Sequence, residues 1–132
     1  MKTALITGAS SGIGKELARI HASKGGNVVL VARRGAELES LRSELEDKFK
    51  IEVAIFQQDL SKAGAAKNVY EFCKEKNLEI EFLMNNAGFG GHGNFVDRPL
   101  EKDIEMIHLN VQALVELSHL FLQDMKARKS GR

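Results

Sequence analysis

Three groups of residues have types and spacings that could do chemistry. The first is TGASSGIG, residues 7–14, with glycines at 8, 12 and 14 and hydroxyls at Ser10 and Ser11. Backbone without Cβ atoms can approach a phosphate closely, and hydroxyls add donors. The second is the pair Tyr70 and Lys74 in YEFCK, a phenol and an ammonium four residues apart, one turn apart on a helix and able in principle to share a proton. Tyr70 is the only tyrosine in the chain. The third is NNAG at residues 85–88, running into the glycine-rich stretch that ends with Asn94 and Phe95. His21, His92, His108 and His119 show no metal-ligand pattern with cysteine or carboxylates, so no metal site is expected. Cys73 has nothing near it in sequence to activate a thiolate and reads as a small buried hydrophobe. His92 lies in a loop and reads as exposed.

Positioning such groups requires a scaffold, and hydrophobic periodicity predicts one. Residues 2–7 (KTALIT), 27–32 (NVVLVA), 52–56 (EVAIF) and 81–85 (EFLMN) are short apolar runs that suit strands buried on both faces. Between them the spacing predicts helices over 13–24, over 36–49 with Leu38, Leu41, Leu45 and Phe49 on one face, and over 62–76 with Ser61 as N-cap. A last helical pattern, one helix or two, runs over 100–126. Strand and helix alternate four times, the mark of an α/β, doubly wound parallel sheet with helices on both faces. Within this frame TGASSGIG falls where the first strand ends and the first helix begins, a corner whose free helix N–H groups suit a pyrophosphate. Tyr70 falls on an apolar stripe with Ala66, Val69 and Cys73, which gives it a packing role on the third helix.

The chain has 132 residues, 43% hydrophobic and 28% charged, which describes one globular domain over residues 1–132. A formal net charge of +1 points to no nucleic acid or acidic membrane partner. No apolar run reaches the roughly 18–20 residues that span a bilayer, and no secretory signal is recognisable. A single cysteine excludes an internal disulfide and suits a cytoplasmic location.

With TGASSGIG at 7–14, DL at 59–60, NNAG at 85–88 and LN at 109–110, in that order and at these intervals, the chain resembles the short-chain dehydrogenase/reductase family over its whole length. The resemblance implies a Rossmann-type sheet with strand order 3-2-1-4 and an oxidoreductase using NAD(P) on a small-molecule carbonyl/alcohol pair. It puts Gly8, Ser10, Ser11, Gly12, Ile13 and Gly14 against the cofactor phosphates. It sets Asp59 and Leu60 beside the adenine, and Asn86, Ala87 and Gly88 along the ribose and nicotinamide. It gives Asn85 the task of tying neighbouring strands, and Asn110 the family's place in a proton relay, holding a water. Where the second strand ends, an acidic residue would select NAD, but Ala32 stands there, followed by Arg33 and Arg34. A guanidinium grips a 2′-phosphate, so NADP(H) is expected ahead of NAD(H), with Arg33 the better placed.

In the family, the Tyr-x3-Lys pair follows NNAG, whereas Tyr70 and Lys74 precede it. The resemblance therefore assigns the catalytic serine, that pair and the substrate loop to positions beyond Arg132. The domain is thus expected to be the cofactor-binding half, truncated after the fourth strand and its following helix, and inactive alone. The alternative is a non-catalytic nucleotide-binding or interaction module ending at Arg132. Two further expectations follow. The fourth strand should present a bare edge. The last helix should carry two apolar stripes, one of Ile104, Ile107, Val111, Leu114, Phe121 and Met125, the other of Met106, Leu109, Ala113, Leu117 and Leu120, and so favour a homo-oligomer.

Overall fold

The computed structural model describes residues 2–132. In chain order the elements are β1 (Thr3–Thr7), α1 (Gly12–Ser23), β2 (Asn27–Ala32), α2 (Gly35–Phe49), β3 (Val53–Gln57), α3 (Ala65–Glu75) and β4 (Ile80–Met84). A single 3-10 turn at Phe95–Asp97 follows, then α4 (Leu100–Ile107), a π-helical segment at His108–Ala113, and α5 (Leu114–Arg128). The four strands pair in parallel in the order β3-β2-β1-β4, as expected. Thr7 lies opposite Val31, so β1 and β2 end side by side.

The continuous apolar runs are explained by burial on both faces. Ala4, Ile6, Val28 and Leu30 turn to one face, where Ala18 and Ala22 of α1 and Leu38, Leu41 and Leu45 of α2 cover them. Leu5, Val29 and Val31 turn to the other, against Val69 and Cys73 of α3 and Leu117, Phe121 and Met125 of α5. Each strand thus feeds two cores, and both fix where its C-terminal end points.

Three expectations are corrected. Helix α3 begins at Ala65 after Gly64, three residues later than Ser61 would have it. Ser61 caps no helix, because its hydroxyl and amide both donate to Asp59 Oδ1, at 2.7 and 2.9 Å. Strand β4 is not a bare edge: Arg132 donates from its amide to the Glu81 carbonyl and accepts from the Leu83 amide, each at 2.8 Å. The last helical run buries one stripe, Ala113, Leu117, Phe121 and Met125, drawn from both expected sets. Ile104, Ile107, Val111 and Leu114 remain exposed. Leu117, Phe121 and Met125 fall four apart within α5 and so share one helical face.

Candidate functional site: a cleft at the β1–β4 crevice

The strand order reverses direction between β1 and β4, and in open α/β sheets the crevice at such a reversal, outside the C-terminal strand ends, is where ligands bind. Here it is built by Thr7, Gly8, Gly14 and Asn86. Thr7 is 1% exposed, and its Oγ1 accepts from the amides of Asn86 and Ala87 at 3.0 and 2.9 Å. The Asn86 Nδ2 donates to the Thr7 and Gly8 carbonyls at 3.1 and 3.3 Å. Gly8 has φ +64°, a left-handed conformation that glycine adopts without strain, and a Cβ there would stand 2.9 Å from Asn86 Nδ2. A Cβ on Gly14 would drive into the Gly8 carbonyl. Asn86 is therefore the residue that ties β4 to β1, the task expected of Asn85. Asn85 instead donates to Ser118 Oγ at 3.0 Å and fastens β4 to α5.

Above this corner opens a cleft of about 380 Å³. Every residue expected at a cofactor lines it except Gly14, which is buried beneath. Gly8, Ser10, Ser11, Gly12 and Ile13 form one wall, Arg33, Arg34, Asp59 and Leu60 a second, and Asn86, Ala87 and Gly88 a third. Ser11 sits at the N-cap of α1 in an extended conformation and its side chain makes no capping bond, so the first-turn amides are left for an anion. Nothing lies within 4 Å of where a Gly12 Cβ would stand, so backbone is bare to the cleft there. Ile13 is 74% exposed, an apolar side chain at the lip. Arg34 Nη2 donates to Ser10 Oγ at 3.3 Å, closing the rim between two walls, while Arg33 is exposed.

Burial raises the Asp59 carboxyl, but the bonds from Ser61 and the charges of Lys62 and Arg33 outweigh it and hold its pKa below the ordinary value. Asp59 is thus an ionised group whose Oδ1 serves the turn that carries Leu60 into the cleft. Asn110 does not line the cleft. Its Oδ1 accepts from the Phe89 amide at 3.0 Å and its Nδ2 donates to the Phe89 carbonyl at 2.7 Å. Each end of the amide makes one bond to the chain just after Gly88, and a Cβ on Gly88 would come within 2.7 Å of Asn110 Oδ1.

The lining also includes Ala32, at the position where an acidic residue would select NAD, and Gln58, Ser61, Phe89, Glu105 and Leu109, which the sequence placed in no site. Glu105 and Leu109, four apart, could have been found as one helical face; Gln58 and Phe89 carried no signal beyond adjacency to Asp59 and Gly88.

Tyr70 and Lys74 lie elsewhere. The Tyr70 hydroxyl and Lys74 Nζ both bond Asp124 Oδ2, at 2.9 and 3.1 Å, across α3 and α5. The Tyr70 ring meets Phe121 edge-on at 5.2 Å. Burial and then Asp124 raise the Tyr70 pKa, and the Asp124 bond raises that of Lys74. A proton shuttle at neutral pH needs the opposite shifts. Burial pushes the Cys73 thiol up to about 12, so it is inert. Among the described residues no group of three or more histidine, cysteine or acidic side chains could hold a metal ion, and no helix is long and apolar enough to cross a membrane.

Known proteins share this architecture. The chain is 37% identical to 17-beta-hydroxysteroid dehydrogenase type 3 of Homo sapiens over 97% of its length and 41% of that protein's. It is 36% identical to a very-long-chain 3-oxoacyl-CoA reductase of Laccaria bicolor, over 97% of this chain and 38% of that one. The chain thus spans less than half the length of these curated relatives. A short-chain dehydrogenase from Sphingobium yanoikuyae, solved in complex with NADPH, superimposes with a TM-score of 0.92 at 35% identity, covering 99% of this chain and 51% of that one. The profile of the family described as short chain dehydrogenase matches residues 2–132, and the chain belongs to that family.

Proposed function

We propose that residues 1–132 are the cofactor-binding portion of an NADP(H)-dependent oxidoreductase acting on a carbonyl/alcohol pair. The observation that carries this reading is the cleft itself: an anion-ready helix start, bare backbone at Gly12 and two arginines open onto one cavity at the β1–β4 crevice. Gly8, Ser10, Ser11, Gly12 and the first turn of α1 would hold the pyrophosphate, with Gly14 beneath to let the helix close on the loop. Arg33, with Arg34 beside it, would hold the 2′-phosphate; the NADPH in the Sphingobium yanoikuyae relative supports this choice. Asp59 and Leu60 would border the adenine, Ile13 the phosphates, and Asn86, Ala87 and Gly88 the ribose and nicotinamide. The nicotinamide, when bound, would supply hydride chemistry; this chain's residues would bind it, orient it and, through Asn110, fix the loop beside it. The exposed row Ile104, Ile107, Val111 and Leu114 supports a homo-oligomer, and the single cysteine a cytoplasmic setting.

A second reading, binding without turnover by these residues, is favoured by Tyr70. The only tyrosine is spent on Asp124, outside the cleft. Fluorescence titration of the 132-residue chain with NADPH and NADH tests the binding claim, and a carbonyl-reduction assay on the same sample tests whether these residues alone turn over. NADPH binding well ahead of NADH, without turnover, is expected. No binding at millimolar dinucleotide would overturn both.

A further inference from the structure

We infer that Arg98 is a positioning residue that locks the glycine-rich loop after β4 and so sets the nicotinamide-side wall of the cleft; this rests on the proposed function. Residues 90–97 are exposed and bury no apolar side chain, so the loop has no core of its own. It is held at two points. At its start, the Asn110 amide grips Phe89, which lines the cleft. At its middle, Arg98 Nη1 donates to the His92 carbonyl at 2.9 Å. Arg98 is in turn fixed by Asp103, whose Oδ1 accepts from Nε at 2.9 Å and Nη2 at 2.6 Å. Both side chains are largely buried, at 18% and 16% exposure, which removes most of the solvent screening that makes surface pairs weak. Gly91 leaves room for the guanidinium, which a Cβ there would strike. Asp103 and Asn110 stand on one unbroken helical run, so one body anchors both clamps.

Placement gives the clamp its consequence. Arg33 and Arg34 follow β2 and mark the adenosine end of the cleft, whereas Phe89 follows β4 on the opposite side of the crevice. Releasing Arg98 frees the loop between Gly90 and Asn94 and lowers the fraction of molecules with the Phe89 wall in place. It therefore weakens a ligand that uses that wall and spares one that does not.

The test is a pair of titrations on the 132-residue chain, with NADPH and with adenosine 2′,5′-bisphosphate, for the parent, Arg98→Ala and Arg98→Lys. If four-fifths of the population loses the ordered wall, Arg98→Ala raises the NADPH Kd roughly fivefold and leaves the bisphosphate Kd unchanged. Arg98→Lys keeps the charge and bulk but not the three-way fork, and should fall between. Hydrogen exchange at residues 90–94 should quicken in the same order, and it reads the clamp in either variant provided far-UV circular dichroism matches the parent. An unchanged NADPH Kd, or equal losses for both ligands, overturns the inference while the cofactor reading stands. A parent that binds neither ligand sinks the cofactor reading, and the inference with it.

Discussion

Two polar constellations in this chain look equally chemical in sequence, and they end in opposite states. At Tyr70, Lys74 and Asp124 every group has found a partner within the protein: one carboxylate oxygen takes both donors, and the phenol ring packs on Phe121. At the β1–β4 corner the polar groups that build the backbone are satisfied, but a second set is left unspent: the Ser11 hydroxyl, the first amides of α1 and the Arg33 guanidinium. Self-satisfaction yields a fastener between helices, and unspent donors around a cavity yield a place for a ligand. The corner achieves both by dividing labour, with Thr7, Gly14 and Asn86 beneath the surface and Ser10, Gly12 and Arg33 upon it.

The sharpest way to break this contrast is to damage the hidden layer. Gly14→Val puts a branched side chain against the Gly8 carbonyl and Asn86, where backbone must move, and should cost about 3 kcal/mol. Urea unfolding reads the loss, and NADPH binding should vanish with it. Thr7→Val keeps the shape and removes only the oxygen that receives two amides. The Ala87 amide then loses its partner and the Asn86 amide keeps only the Met84 carbonyl, for about 2 kcal/mol. A Thr7→Val protein as stable as the parent would show that the corner is held by packing and not by this bond set.

Damage to the outer layer should separate binding from stability. Arg33→Ala removes an exposed charge with no buried role, so the unfolding midpoint should not move. If Arg33 grips the 2′-phosphate, NADPH affinity falls about tenfold, the worth of one charge-assisted contact, and NADH affinity is untouched. Equal loss for both dinucleotides would transfer the arginine's role to the pyrophosphate. An effect at Arg34→Ala in place of Arg33→Ala would move the 2′-phosphate to the residue already bonded to Ser10.

Most of the scaffold was legible because both of its periods are strong. Runs such as NVVLVA can be satisfied only by burial on two faces, while the strand order is the one that the family resemblance implied. The strand-to-helix corner at 7–14 was legible because glycine at 8 and 14 answers a backbone demand that few other residues meet. The division of labour within NNAG was not, since two adjacent asparagines have the same chemistry and only the pleat decides which one faces β1 and which faces α5. The start of α3 was misplaced because Asp59 competes for the Ser61 hydroxyl two residues away. The π segment was invisible, since His108–Ala113 contains no proline or glycine to mark it. Glu105 and Leu109 reach the cleft from the same run, and nothing in their types announced it.

The smallest effect belongs to the self-satisfied cluster. Tyr70→Phe keeps the ring on Phe121 and removes one hydrogen bond, for about 1 kcal/mol, with no change in NADPH binding. Its pH dependence identifies the partner. Burial raises the Asp124 carboxyl, but the bonds from Lys74 and Tyr70 more than offset it and lower the pKa in the folded chain. A carboxyl with a depressed folded-state pKa stabilises above its unfolded value of about 4, and that stabilisation is lost as pH falls through the folded one. The stability gap between the parent and Asp124→Asn should therefore be widest near neutral pH and should narrow on acidification below about pH 4. Urea midpoints at several pH values trace this. A gap that stays constant into acid would mean that the Asp124 charge contributes nothing and that shape alone joins α3 to α5. A loss of dinucleotide binding in Tyr70→Phe would erase the distinction between fastener and site, and would return the phenol of YEFCK to the chemistry of the cleft.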